Sequence, residues 1–130
     1  MRTVAQKRAA FALKRVLAVS DRKEFKPFTA GAPSMILQNG FGQTMAFWLA
    51  KGNKDGRINQ NDKHIELFDT VKDWLSLSSG DVRNRFVTAT DRLGFLQELT
   101  TMDLERYLAA QNETLALLEW VKRFANADLT

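Results

Sequence analysis

Lys7, Arg8, Lys14 and Arg15 form two cationic pairs one heptad apart, with Phe11 among them and Val4 nearby. Ammonium and guanidinium groups neutralise phosphates and release their counterions. An aromatic ring between them can stack on a base of a single strand. The same pattern also fits a solvated helix face on which Phe11 packs against another helix, and the spacing alone separates neither reading. Arg22, Lys23 and Lys26 continue the basic character, and the net charge of the chain is +4. That balance leans toward polyanionic partners. Arg83, Arg85 and Phe86 make a second basic cluster in a later polar stretch. Lys122 and Arg123 make a third, for which cations favoured at a helix C-terminus are sufficient explanation.

Catalysis has little to stand on. The chain has 1 His and no Cys, so there is no thiolate nucleophile, no disulfide framework and no thiolate metal cluster. His64, alone at the start of an amphipathic stretch, reads as a solvated or capping residue. No nucleophile elbow, phosphate-binding glycine loop or paired-His motif occurs. Glu113 and Glu119 suit ordinary surface pairing, Glu119 with Arg123 at four-residue spacing. Residues 51–62 mimic a calcium loop, with Asn53, Asp55, Gly56, Ile58 and Asp62 in its third, fifth, sixth, eighth and twelfth places. Lys51 stands where the first Asp should be and would repel the ion. A polar loop is expected instead. We expect no enzyme, no catalytic residue, no metal, no cofactor and no small-molecule substrate.

The elements that must position these residues are helical almost throughout. In residues 1–19, Ala5, Ala9, Ala12, Leu13, Val16 and Leu17 share one face and the four cations the other. Asp21 and Glu24 have capping-box spacing, so a new helix can start there, or the first can run on to Pro27. Residues 29–33 predict a break or kink, because Ala32 precedes Pro33. Ser34 can then cap a short helix over 35–38, and a helix over 41–50 follows Asn39-Gly40. Residues 51–63 are a polar loop. In 64–77, Ile65, Phe68, Val71 and Leu75 recur at helical spacing. Residues 76–90 connect onward, and a strand at 85–88 is discounted because nothing elsewhere would pair with it. Thr90 or Asp91 caps a helix over 92–99. Thr100 or Thr101 caps the last one, which runs to about Asn126 with Leu104, Leu108, Leu115 and Leu118 as its stripe.

With 130 residues and 45% hydrophobic content, the chain is long enough to bury a core. The expectation is all-α, a single helical domain over 1–130 built as a compact bundle of about six helices. No run reaches membrane-spanning length. Lys14 and Arg15 interrupt what a secretory signal would need as its apolar core. The lack of Cys is compatible with a reducing cytosol, and a cytoplasmic location without membrane contact is expected. The densest stretch is 34–52, SMILQNGFGQTMAFWLAKG, where Met45, Phe47, Trp48 and Leu49 crowd into one turn. So much apolar surface belongs in a core or an interface. The 3 Trp and 9 Phe of the chain mostly fill a core, though some could mark a protein-binding surface.

Three segments carry a family resemblance. RTVAQKRAAFA (2–12), MILQNGFGQTMAFWL (35–49) and YLAAQNETLALLEWVKRFANADL (107–129) resemble, in that order, the basic first helix, the central Asn-Gly pattern and the closing helix of the small all-helical subunit of the type III-B CRISPR effector, the Cmr complex. Residues 53–61 and 78–91 show no matching pattern. The resemblance implies a non-catalytic subunit of an RNA-guided RNA-silencing complex. It would stack as repeated copies along the effector filament, beside the backbone subunits that hold the guide RNA. Its basic surface would line the path of target RNA, with Lys7, Arg8, Lys14 and Arg15 as candidate RNA-binding residues. Other Cmr subunits, copies of itself and guide or target RNA are the implied partners. Two other readings stay open: a purely structural, protein-binding subunit, and a helical DNA-binding regulator. The second lacks a helix-turn-helix with a readable recognition helix.

Overall fold

A computed structural model describes residues 1–129. Its elements run α1 (Val4–Ala18), α2 (Arg22–Asn39), α3 (Phe41–Lys51), β1 (Asn53–Lys54), β2 (Arg57–Ile58), α4 (Lys63–Ser76), β3 (Ser78–Ser79), β4 (Val82–Arg83), α5 (Arg92–Thr101) and α6 (Leu104–Ala125). The fold is all-α in class, with six helices among the described residues. The strands form two minimal antiparallel hairpins, β1–β2 and β3–β4, inside the stretches read as polar loops. At the first, Asp55 (φ 55°) and Gly56 (φ 76°) both take the left-handed conformation that a tight Asp-Gly hairpin turn requires. The calcium-loop mimic is thus a hairpin. Its last carboxylate, Asp62, caps α4 by accepting from the His64 N–H at 2.7 Å.

Every helix except α3 begins at a side-chain cap. Thr3 opens α1 with a full capping box completed by Gln6. Asp21, Asp62, Asp91 and Asp103 each accept a backbone N–H of the first turn of α2, α4, α5 and α6. Asp103, rather than Thr100 or Thr101, therefore starts α6, and α5 runs on through both threonines. Between α2 and α3 stands Gly40 at φ 89°, ψ 154°, closing one helix and opening the next. That backbone region is essentially glycine-only.

The break expected at 29–33 is absent: α2 passes through Pro27 and Pro33 without interruption. Each proline removes one helical hydrogen bond. Phe25, Thr29, Ala32 and Ile36 are all buried at i, i+4, i+7 and i+11, and this continuous inward stripe holds the helix through both positions. The capping role assigned to Ser34 accordingly falls away.

The core gathers Phe41, Met45 and Trp48 of α3 with Phe68, Val71, Trp74 and Leu75 of α4, and Phe95, Leu117 and Val121 from the later helices. Phe68 and Phe95 meet edge to face at 5.6 Å between centroids, a geometry aromatic quadrupoles favour. The segment 34–52 is central to this core, except that Leu37 and Phe47 are exposed, Phe47 to 46%. In α6 the inward stripe is Ala110, Thr114, Leu117, Leu118 and Val121. Leu104 and Leu108, expected in it, lie exposed. They lie on a different face of α6 from Tyr107 and Ala110, which pack inward, the Tyr107 hydroxyl accepting from the Gly42 N–H at 2.7 Å, so apolar type alone misplaced them. α6 packs most extensively on α1 and α2.

Candidate nucleic-acid interface

The basic helix α1 is rotated relative to its sequence pattern. Phe11 turns toward the body, its ring 5.1 Å from that of Trp74, while Ala5 and Leu17, placed on the inner face by periodicity, are exposed. Burying one phenyl ring removes more apolar area from water than burying small alanines. The inward face is therefore set by Phe11, Ala12 and Val16. Packing against a neighbouring helix, one of two readings of Phe11, is the one realised.

This rotation brings three of the four candidate cations against carboxylates or carbonyls of distant elements. Arg8 donates to Glu113 of α6 twice, from Nε at 2.6 Å and Nη2 at 3.0 Å. Glu113 also accepts from the Trp74 indole N–H at 2.9 Å. It is not a surface pairing residue: its side chain is only 11% exposed, and it ties α1, α4 and α6 together. The hydrogen bonds that Arg8 donates to Glu113 raise the pKa of its guanidinium, against the opposing effect of burial. Arg15 donates to Asp73 at 2.8 Å and sits over the Phe11 ring. Asp73 also accepts from the buried Lys72, which reaches the Thr90 carbonyl as well. Lys7 Nζ donates to the Asp81 carbonyl oxygen at 2.7 Å, in the β3–β4 turn where Asp81 also pairs with Arg2. The hydrogen bond from Arg2 holds the Asp81 carboxyl below its usual range. Long cationic side chains commonly lay their stems on apolar surface and keep their heads at the rim. Lys14 differs: it is exposed and makes no hydrogen bond or ion pair among the described residues.

Several free cations lie at one end of the bundle. α1 and α6 run the same way, since Arg8 meets Glu113, while Val16 and Phe124, both further along their helices, line one cleft near their ends. α2 starts at this end. Arg22, Lys23 and Lys26 of α2 border that cleft of about 320 Å³, whose other walls include Phe25, Phe124 and Leu129. Arg123 is exposed there, and Lys122 pairs weakly with Glu119 at 3.5 Å. That pair replaces the expected Glu119–Arg123 contact. Asp21, Glu24 and Asp128 temper the positive field at this end. In the second basic cluster, Arg83 and Arg85 bond locally, to the carbonyls of Gly80 and Val82 and to the Ser78 hydroxyl. His64 Nδ1 lies 2.9 Å from Asp62, with its ring against Phe28.

Reading the sequence missed the acidic partners Asp73, Asp81 and Glu113, which lie 58 to 105 residues from their cations. No local spacing rule reaches that far. The one available signal was Phe11 itself, too large to leave on the outside of a helix whose other face is mostly alanine. Among the described residues, no helix is long and apolar enough to cross a membrane.

A family model described as CRISPR-associated protein (Cas_Cmr5) matches residues 4–128. The crystal structure of a CRISPR-associated Cmr5 family protein from Thermus thermophilus superposes with a TM-score of 0.66 at 24% identity, covering 100% of both chains. That likeness is one of fold.

Proposed function

The chain belongs to the Cmr5 family of CRISPR-associated proteins, and from that premise we propose that it is a non-catalytic small subunit of a type III-B (Cmr) RNA-silencing complex that helps hold target RNA while stacking along the effector filament. The family match over nearly the whole chain carries the subunit role. The RNA role is supported by the end of the bundle where Lys14, Arg22, Lys23, Lys26 and Arg123 carry no ion pair among the described residues. Cations not already matched to carboxylates are free to release phosphate counterions. Within the original set, Lys14 is the direct phosphate contact. Lys7 and Arg15 flank it while holding Asp81 and Asp73, and Arg8 fixes the orientation of α1. One such patch is weak, and repetition along a filament raises its avidity.

Changing Lys14, Arg22, Lys23 and Lys26 together to Glu tests this reading, because it breaks none of the ion pairs of the fold. The assembled complex should capture target RNA more weakly, with a shallower salt dependence. Unchanged capture across a range of salt would refute an RNA role for this surface. A purely protein-binding subunit is the second reading, favoured by the exposed Leu37, Leu93, Leu104 and Leu108. Under it, the same variant would fail to co-purify with its neighbours.

A further inference from the structure

Phe47 is the one large aromatic of the 34–52 segment that the core does not take. It stands 46% exposed on the outer face of α3. Gln43, Phe47 and Lys51 follow each other at four-residue steps, so they form one row about 12 Å long. The Lys51 ammonium lies 5.9 Å from the centre of the Phe47 ring. Beside this row, Gln38 and Asn39 at the end of α2 complete the walls of an open groove of about 580 Å³ with Met35 and Thr44 at its base. The Thr44 hydroxyl donates to the Met35 carbonyl. The amide groups of Gln38, Asn39 and Gln43 are exposed and have no hydrogen-bond partner among the described residues.

Three features define the chemistry of an occupant. The groove has no carboxylate in its lining. Lys51, Lys54 and Arg57 extend from its end into the β1–β2 hairpin, with Asp55 as the one acid there and no ion pair to any of the three among the described residues. The lining sets two apolar side chains against three free amides, a more polar mixture than the centre of a protein interface. Unpaired bases are recognised by this combination: a ring to stack on, amides for the base edge and cations for the flanking phosphates.

We infer that the outer face of α3 is a second RNA-contact site, in which Phe47 stacks on an unpaired base, Gln38, Asn39 and Gln43 hydrogen-bond to its edge, and Lys51, Lys54 and Arg57 meet the adjoining phosphates. This deepens the proposed function and rests on its premise that the chain holds RNA. The basic end formed by α1, α2 and α6 grips the backbone, whereas α3 engages a base.

The test is photocrosslinking of 5-iodouridine-substituted target RNA in the reconstituted effector complex, followed by mapping of the crosslinked peptides. Peptides containing Phe47 should crosslink. F47L, which keeps an apolar side chain on an exposed site outside the core, should lower that yield about tenfold, within the range for loss of one stacked base. F47W should restore it. Crosslinks confined to peptides bearing Lys14 or Arg22–Lys26 overturn the α3 site and leave the basic end standing. No crosslink to this chain at all overturns both. Failure of F47L to join the complex identifies Phe47 as a protein contact and overturns the base-stacking assignment.

Discussion

Replacing Glu113 by Ala should be among the most damaging single changes of a polar residue in α6. The carboxylate accepts two bonds from Arg8 and one from the Trp74 indole, at 2.6, 3.0 and 2.9 Å. Its loss leaves a guanidinium only 16% exposed without its counter-charge and an indole N–H on a buried ring without an acceptor. Removing one partner of a buried pair costs about 3–5 kcal/mol. The residual exposure of both side chains reduces this, and we expect about 3 kcal/mol. For a chain of this length that corresponds to a fall in Tm of about 10 °C, with the protein still folded at 25 °C if its stability is typical. Urea unfolding followed by tryptophan fluorescence gives the free energy, and a cycle with Arg8→Met isolates the pair. The double variant should be about 2 kcal/mol more stable than the sum of the single effects. Trp74→Phe removes the N–H and also shrinks a fully buried ring, so a cavity penalty should add to the roughly 1 kcal/mol of the lost bond. An E113A loss below about 1 kcal/mol, or an additive cycle, would falsify the claim that this carboxylate fixes the orientation of α1.

Gly40→Ala places a Cβ on a backbone at φ 89°, ψ 154°; we expect a loss of about 1–3 kcal/mol, measured by the same urea titration. Asp103→Ala removes the side-chain acceptor of the Arg106 N–H at 2.9 Å and should cost about 1 kcal/mol, with fraying at the start of α6 visible by hydrogen exchange. Burial raises the Glu98 pKa, but bonds from the Thr88 hydroxyl and N–H and the Ala89 N–H outweigh it, aided by Arg106, so this carboxyl titrates below its ordinary value of 4.5. Its stabilising contribution is therefore complete above that value and lost as pH falls through the lower folded-state pKa. Thermal melts from pH 7 to pH 2 should show this acid limb flattened in Glu98→Gln, and an unchanged limb would contradict the assignment.

The helical class, the apolar face of α4, the Asn-Gly junction between α2 and α3 and the core role of Met45 and Trp48 were legible in the residues, because each depends on spacing within one or two turns. The family resemblance was legible for a similar reason, since it lies in ordered local strings. The continuity of α2 was not. Local rules place a break near Pro33, whereas the burial of Phe25, Thr29, Ala32 and Ile36 keeps the helix intact, and that burial exists only once α6 is in place. The basic site was half legible. Lys7, Arg8, Lys14 and Arg15 were visible as a cluster from their types and spacing. Which of them stays free depended on the rotation of α1, which Phe11 sets by packing on Trp74, and on Asp73, Asp81 and Glu113 arriving from far along the chain. Charge and periodicity are properties of the sequence. The pairing of a charge, or the exposure of a ring such as Phe47, is decided by tertiary structure, because the electrostatic and solvation energies depend on distance in space and not along the chain.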